Sequence, residues 1–294
     1  MVTGRSHLYV PADRPAMLAR AAERAADAVI VDLEDAVAPD AKEAARLALA
    51  RWLDSRPPAG AESPEVWVRL NEAAPDGSPA SADLAVAIHP ATTGVIQAKC
   101  ESADALSRLG EEMAAHEAAA GLAQGAIAVA ALIESARGLV ALPALAAHPR
   151  VSRLQLGEVD LAASLGMRPG ADGLELLPLR VKVVVTSAAA GLDPPVGPVY
   201  LSLRDEDGLR RTTEALRRLG YAGRAAVHPA QVPVINEVFT PDTATGPTAA
   251  DLAAAGAAAR LGQGVWVAPD GSMMDRAVLR AADVGRSRKG DRDA

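Results

Sequence analysis

The chain has 294 residues, a formal net charge of −7, a hydrophobic content of 50% and an aromatic content of 2%. The acidic balance and the scarcity of aromatic side chains argue against a general nucleic-acid binder, a stacking platform for single strands and a binder of anionic membranes. One cysteine, Cys100, excludes an internal disulfide and predicts a cytoplasmic location.

Eight short apolar runs, most followed by a helical pattern, succeed one another along the chain. The predicted strands are His7–Val10, Ala28–Leu33, Val66–Leu70, Gly94–Ala98, Ile127–Ile133, Arg153–Leu156, Pro198–Leu203 and Ala225–Val227. Their nearly continuous apolar character is typical of parallel strands buried on both faces. Strands that alternate with helices, eight times in a chain of this length, predict an α/β fold, a (β/α)8 TIM barrel over residues 1–240.

Two segments fall outside the repeat. Residues 174–191 predict an extra helix ahead of the seventh strand. The second segment, residues 241–294, predicts a helix at 249–261, a strand at 265–267, a turn at 269–271 and a last helix from about Ala277. We expect this small C-terminal helical extension to act as a lid that packs on the barrel or on a neighbouring subunit.

Charged side chains stand at the ends of the predicted strands. They are Asp32, Glu34, Asp35, Arg69, Lys99, Glu134, Glu158, Asp160 and His228. In a (β/α)8 barrel such groups meet at the C-terminal mouth, where the active site lies. Glu134 and Asp160, after the fifth and sixth strands, form a carboxylate pair that suits Mg²⁺. The alternative is that each acid caps the helix it precedes, although Ser135 is the better cap residue beside Glu134.

Three further positions each allow two interpretations. Glu34 or Asp35 holds waters on the metal, or the acidic cluster is a solvated loop. Arg69 binds a substrate carboxylate or an enolate oxygen, or it is the ion-pair partner of Asp32. Lys99 is a Schiff-base lysine, or it is a charged lysine paired with its acidic neighbours, which we favour.

Two other side chains have mainly structural interpretations. His228 is a base, a ligand or a helix N-terminal contact, and we favour the last. We expect Cys100 to be an inert buried thiol.

Seven motifs carry a family resemblance. They are Arg5–Ala12, Val31–Val37, Val68–Asn71, Leu132–Gly138, Leu156–Leu161, Gly223–Gln231 and Gly271–Asp275. In this order and spacing the chain resembles the citrate lyase β-subunit-like family of the HpcH/HpaI aldolase superfamily over nearly its whole length. The resemblance implies a Mg²⁺-dependent carbon–carbon lyase, usually a homotrimer or hexamer. Relatives act on β-hydroxyacyl-CoA thioesters such as citryl-CoA, malyl-CoA or citramalyl-CoA, releasing an acyl-CoA and a 2-oxo acid such as oxaloacetate or glyoxylate.

The resemblance also implies roles for single residues. Metal ligation carries over to Glu134 and Asp160, and binding of the 2-oxo acid to Arg69. Gly157 and Glu158 lie near the acid's carboxylate, with Glu134 as a further substrate contact. Asp275 matches a C-terminal acid that reaches a neighbouring subunit's site, although it is also placed to cap the last helix. We therefore predict Arg69, Glu34 and Asp275 as the catalytic set.

Two other functions stay open at this point. One is a metal-dependent aldolase that acts on free 2-oxo acids without CoA, which substrate-dependent release of acetyl-CoA or propionyl-CoA would distinguish. The other is a non-catalytic metabolite-binding subunit, against which the intact Glu134, Asp160 and Arg69 argue. In each case the expected partners are small molecules, with no nucleic acid and no membrane.

Overall fold

The computed structural model describes residues 4–60, 63–240, 249–261, 264–269, 271–277 and 279. Among these residues, Gly4 to Phe239 belong to one compact unit, and those from Thr240 onward belong to a second. No helix in these described ranges is long and apolar enough to cross a membrane.

Eight parallel strands close into a barrel in which each strand pairs with the next and the eighth pairs with the first. The strands are β1 Ser6–Pro11, β2 Ala28–Asp32, β3 Glu65–Leu70, β4 Gly94–Gln97, β5 Ala128–Ile133, β6 Val151–Leu156, β7 Val196–Gly197 and β8 Gly223–Ala226. The predicted (β/α)8 barrel is therefore confirmed.

Nine α-helices in the described part of the first unit surround or connect these strands. They are α1 Pro15–Ala21, α2 Lys42–Asp54, α3 Ser81–Ala87, α4 Ala103–Ala119, α5 Ala136–Ala146, α6 Glu158–Leu165, α7 Leu177–Ala189, α8 Glu206–Leu219 and α9 Val232–Phe239. The predicted extra helix is α7, preceded by a short 3-10 turn at Leu174–Leu176.

The strands bury both faces, and the alternation of side chains divides them into two cores. In β2, Val29 and Val31 pack in the large layer between strands and helices. The intervening Ala28 and Ile30 instead join Trp67, Ile96, Ala130 and Leu132 in a small cluster that fills the barrel. A strand alternates its faces with a period of two, so the next inward position after Ile30 is Asp32.

The seventh strand is shorter and earlier than predicted. Pro198–Leu203 was expected to pair, but only Val196 and Gly197 do, with partners in β6 and β8. Pro198 has no N–H to donate to the ladder, so pairing stops there. The chain beyond it is held by side chains instead, as where the Tyr200 hydroxyl donates to Asp205 Oδ2 over 2.5 Å.

The second unit contains helix α10, Ala249–Arg260, and an antiparallel hairpin of β9 Val265–Val267 and β10 Met273–Asp275. The helix and the first strand were predicted, but the second strand was not. Because of this hairpin, the described part of the extension is not purely helical. Its core is small and holds Ala255, Ala268 and Met274. The last helix expected from Ala277 lies largely outside the described residues, and packing on a neighbouring subunit stays a prediction.

Candidate active site

The inward rows of three strands each end in a charged residue at the barrel's C-terminal mouth. Ile30 is followed on the same face by Asp32, Trp67 by Arg69, and Leu132 by Glu134. The apolar members fill the barrel, and the charged members sit above them. The mouth is therefore a polar layer on a closed apolar floor, where an ionic interaction is stronger than in water.

Arg69 is held between two acids of the β2 loop. Its Nε and Nη2 donate to the two carboxylate oxygens of Asp32 over 2.8 and 2.5 Å, and its Nη1 lies 3.0 Å from Glu34 Oε2. The guanidinium also lies over the Tyr9 ring, 5.1 Å from its centre. Burial lowers the pKa of Arg69, but its acidic partners raise it by more, so the group stays charged. The predicted ion pair with Asp32 exists, and Arg69 still lines the cavity described below.

Lys99 is a paired lysine, as we favoured. Its Nζ lies 2.9 Å from Glu34 Oε1, and this contact raises the pKa of Lys99 above its usual value. The acidic partners are Glu34, Asp35 and Glu72, rather than its sequence neighbour Glu101. A lysine held charged in this way is a poor Schiff-base nucleophile.

The backbone of Lys99 fixes the position of Glu134. Lys99 has φ +47°, in the left-handed region that non-glycine residues rarely adopt. In this conformation its N–H donates to Glu134 Oε2 over 2.9 Å. Burial raises the pKa of Glu134 to about 7, and the charges of Glu34 and Asp160 add to the rise. Ser135, not Glu134, caps α5, as its hydroxyl accepts the Gly138 N–H.

Gly157 provides the space that the Glu134 carboxylate occupies. A Cβ at position 157 would lie 2.4 Å from Glu134 Oε1 and 2.5 Å from its Cγ. Gly157 is also the residue before α6, so the first turn of that helix starts directly beside the carboxylate. A side chain at position 157 would have to push Glu134 aside.

Glu134 and Asp160 face one cavity and suit a hard divalent cation. Asp160 lies exposed in the first turn of α6, and its negative charge contributes to the raised pKa of Glu134. Both are oxygen donors, which Mg²⁺ prefers, and Mg²⁺ is often held by only one or two carboxylates together with the substrate. The described residues contain no cluster of three or more His, Cys, Asp or Glu side chains suited to a metal. The space at Gly157 fixes the position of the Glu134 carboxylate, and the two carboxylates are donors of the kind that magnesium prefers.

Glu158 is tied to a partner that the sequence did not reveal. Arg180 of α7 donates from Nε and Nη2 to the two Glu158 oxygens over 2.6 and 2.7 Å. The Glu158 carboxylate is thus neutralised by an ion pair, although the residue lines the cavity. The pair joins residues 22 positions apart on two elements, and no local pattern indicates it.

A second network that sequence reasoning missed supports the β2 and β3 loops. Lys42 Nζ donates to the carbonyl oxygens of Leu33 and Glu34 over 2.7 and 2.6 Å, and to Asn71 Oδ1. Asn71 in turn donates to the buried Asp83. Asn71 ends one of the recognised motifs, and that was the only available signal.

Two cavities meet at Glu134 and Asp160. The first, of about 270 Å³, lies at the mouth above the barrel core. Its lining includes Tyr9, Asp32, Arg69, Glu134, Gly157, Glu158 and Asp160. The second, of about 800 Å³, lies between the loop after β3 and the starts of α4 and α5, and shares Glu134 and Asp160 with the first. A small acid fits the first cavity, and a longer group has room in the second.

The remaining predicted residues lie in other surroundings. His228 is exposed after β8, and its Nδ1 accepts the Ala230 N–H at the start of a 3-10 turn. Cys100 is buried, as predicted, and burial raises the pKa of its thiol to about 12. That the thiol is inert stays a prediction. Asp275 ends β10 in the second unit and accepts the Ala277 N–H over 2.8 Å, which is the geometry of a capping aspartate. Its catalytic role stays a prediction.

Comparison with known proteins places this geometry in a family context. A family model described as HpcH/HpaI aldolase/citrate lyase matches residues 5–229. The (3S)-malyl-CoA thioesterase of Cereibacter sphaeroides is 35% identical over 92% of this chain and 89% of its own length. The mitochondrial citramalyl-CoA lyase of Rattus norvegicus is 28% identical over 96% and 84%. CitE from Mycobacterium tuberculosis, solved with magnesium, acetoacetate and coenzyme A, superposes with a TM-score of 0.73 at 30% identity, covering 98% of each chain.

Proposed function

Because the chain belongs to the HpcH/HpaI aldolase/citrate lyase family and is a carbon–carbon lyase, we propose that it cleaves or forms a β-hydroxyacyl-CoA thioester. The products of cleavage are a 2-oxo acid, or glyoxylate, and an acyl-CoA, with Mg²⁺ as cofactor. The observation that carries this proposal is the meeting of Glu134, Asp160 and Arg69 in one cavity at the barrel mouth.

Glu134 and Asp160 are the side chains that would hold the cation. Magnesium, when bound, supplies a Lewis acid that polarises the substrate's oxygens and offsets the charge that develops on them. The buried position of Glu134 and the space at Gly157 support this assignment, as does the magnesium in the CitE structure.

Arg69 supplies fixed positive charge where the 2-oxo acid is formed. Asp32 holds two of its nitrogens, so the guanidinium is already oriented before substrate arrives. A preorganised donor of this kind stabilises an oxyanion in the transition state without reorganising. Both Glu34 oxygens face cations, Arg69 on one side and Lys99 on the other, which supports a role for Glu34 in positioning Arg69. Its place in the catalytic set and its contact with metal-bound waters stay predictions.

The start of α6 provides further donors. The first backbone N–H groups of a helix have no partner within the helix, and they attract anions. Gly157, Glu158 and Asp160 at this start all line the first cavity. We propose that these backbone groups bind the substrate carboxylate, which gives Gly157 and Glu158 their predicted role. Asp275, the homotrimer or hexamer and the cytoplasmic location stay predictions.

The second cavity favours a thioester over a free 2-oxo acid. It is about three times as large as the first and opens from the same pair of carboxylates. A free acid would leave it unused, whereas the acyl-CoA arm has room there. The coenzyme A in the CitE structure supports the same assignment.

A thioesterase is the second candidate, and one observation favours it. The relative at 35% identity is a (3S)-malyl-CoA thioesterase, which matches nearly the whole chain. Hydrolysis and carbon–carbon cleavage give different products from one substrate, so a single experiment separates them.

The test is incubation of the purified protein and Mg²⁺ with (3S)-malyl-CoA, citramalyl-CoA and citryl-CoA. Chromatography distinguishes acyl-CoA from free CoA, and a hydrazine reagent detects the oxo acid. We expect oxo acid and acyl-CoA in equal amounts, and their loss in Glu134→Gln but not in Glu111→Gln, a control on the exposed face of α4. Hydroxy acid with free CoA would show the thioesterase instead. Parallel incubations contain free 2-oxo acids without CoA, and turnover in these alone would show the aldolase. Tight binding of a metabolite without turnover of any substrate would show the non-catalytic subunit.

A further inference from the structure

The first cavity, where we propose that a 2-oxo acid binds, has little positive charge in its lining. Among the described residues that line it, Arg69 is the one with a cationic side chain. Four of the lining residues are acids: Asp32, Glu134, Glu158 and Asp160. The groups that can attract a substrate anion in this cavity are therefore one guanidinium, the cofactor and the backbone N–H groups at the start of α6.

The cations close to this cavity are already committed. Arg69 shares its charge with Asp32 and Glu34. Lys99 lines the second cavity and is paired with Glu34. Arg180 donates from two nitrogens to the two carboxylate oxygens of Glu158. A second substrate carboxylate in the first cavity has no free cation to meet among these groups.

The rest of the lining is mostly apolar. Leu132, Leu156, Val159, Pro198 and Val227 are among its members. An ionised carboxylate pressed against such a wall loses hydration without compensation, which is costly, whereas a hydrogen atom or a methyl group gains from the contact. The wall thus favours an uncharged group on the far side of the oxo carbon.

Building on the proposed function, we propose that the site selects 2-oxo monocarboxylic acids, of the glyoxylate or pyruvate type, over dicarboxylic 2-oxo acids such as oxaloacetate. One carboxylate binds at the cofactor and the α6 start, and the remaining substituent lies on the apolar wall. The corresponding thioesters are of the malyl-CoA and citramalyl-CoA type, and not of the citryl-CoA type.

The first arm of the test compares 2-oxobutyrate with freshly dissolved oxaloacetate by calorimetric titration of the wild-type protein with Mg²⁺ present. The two acids have the same chain length and differ in a terminal methyl against a carboxylate. The carboxylate is the larger group, so 4-methyl-2-oxopentanoate, whose branched apolar end has the same number of non-hydrogen atoms, is titrated as the size control and should bind like 2-oxobutyrate. We expect 2-oxobutyrate and pyruvate to bind at least about tenfold more tightly than oxaloacetate, the scale of one uncompensated polar group.

The second arm adds the missing cation. Val227 lines the cavity and is 39% exposed, so a longer side chain has room there. Val227→Lys should shift the ratio of affinities toward oxaloacetate by about tenfold, whereas Val227→Met, similar in length but uncharged, should not. The wild-type comparison decides the matter if the lysine variant fails to fold.

Each result has one meaning. Oxaloacetate binding as tightly as 2-oxobutyrate overturns the inference while leaving the proposed lyase intact. Equal weakness of both four-carbon acids beside pyruvate shows that size, not charge, sets the preference, and also overturns it. No binding of any 2-oxo acid with Mg²⁺ removes the proposed function and this inference with it.

Discussion

Gly157→Ala tests the site with a single methyl group. The added Cβ would stand 2.4 Å from Glu134 Oε1, closer than the 3.0 Å below which real Cβ contacts essentially do not occur. The carboxylate must therefore move by at least about 0.6 Å. The backbone at 157 has φ −95°, so alanine is not excluded by its own conformation.

The displacement has a predictable cost. Glu134 cannot move freely, because the Lys99 N–H holds its other oxygen at 2.9 Å. Misplacement of a catalytic group by about 1 Å costs on the order of 100-fold in rate. We expect kcat/KM to fall by about that factor, Mg²⁺ affinity to weaken, and the melting temperature to change by only a few degrees.

A double-mutant cycle gives the sharpest control. If the methyl group acts through Glu134, Gly157→Ala should have little further effect on Mg²⁺ binding in a Glu134→Ala background. Calorimetric titration of Mg²⁺ and steady-state kinetics measure the two quantities. Wild-type Mg²⁺ affinity in Gly157→Ala, or equal effects in both backgrounds, would refute the reasoning.

Four further predictions follow from the same contacts. EDTA should abolish activity and Mg²⁺ restore it, and Glu134→Gln or Asp160→Asn should weaken Mg²⁺ binding in calorimetry while the circular dichroism spectrum stays unchanged. Arg69→Lys should lower kcat/KM by about 100-fold, since lysine keeps the charge but loses the fork that Asp32 orients, and near-wild-type kinetics would remove Arg69 from the site. Burial lowers the pKa of His7 to about 3. Between about pH 6.5 and 3 the unfolded chain therefore binds a proton at His7 that the folded chain does not bind. The free energy of unfolding should fall as the pH drops through this range, by at most about 1.4 kcal/mol per pH unit. The raised pKa of Glu134 has the opposite effect on stability between about pH 7 and 4.5. Urea midpoints are therefore compared in a metal-free Glu134→Gln background, which removes this contribution. In that background His7→Gln should flatten the dependence of the urea midpoint on pH. Mixing subunits of Asp275→Asn with subunits of Glu134→Gln should restore some activity if Asp275 serves a neighbouring site, whereas wild-type activity in Asp275→Asn alone would leave it as a cap.

The barrel itself could be predicted from the sequence because its signals are local. Buried parallel strands are short apolar runs, and turns and helix caps punctuate them, so seven of the eight strands were placed within two residues of their observed ends. The period of two within a strand then puts Asp32, Arg69 and Glu134 at the mouth. The seventh strand was misplaced because Val196–Gly197 is too short to carry a pattern, while the residues after Pro198 resemble a strand but cannot continue the ladder.

Only the tertiary structure decided how the charges pair. The sequence left Arg69 between an ion pair and a substrate ligand. The fold allows both, because Asp32 accepts hydrogen bonds from two guanidinium nitrogens while Arg69 still lines the cavity. The tertiary structure also pairs Lys99 with Glu34 and Glu158 with Arg180, and each pair joins separate elements of the chain. Hydrophobic periodicity is a property of one helix or strand, so it can be recognised from the sequence alone. Charge pairing depends on the distances between elements, which exist only after the barrel has closed.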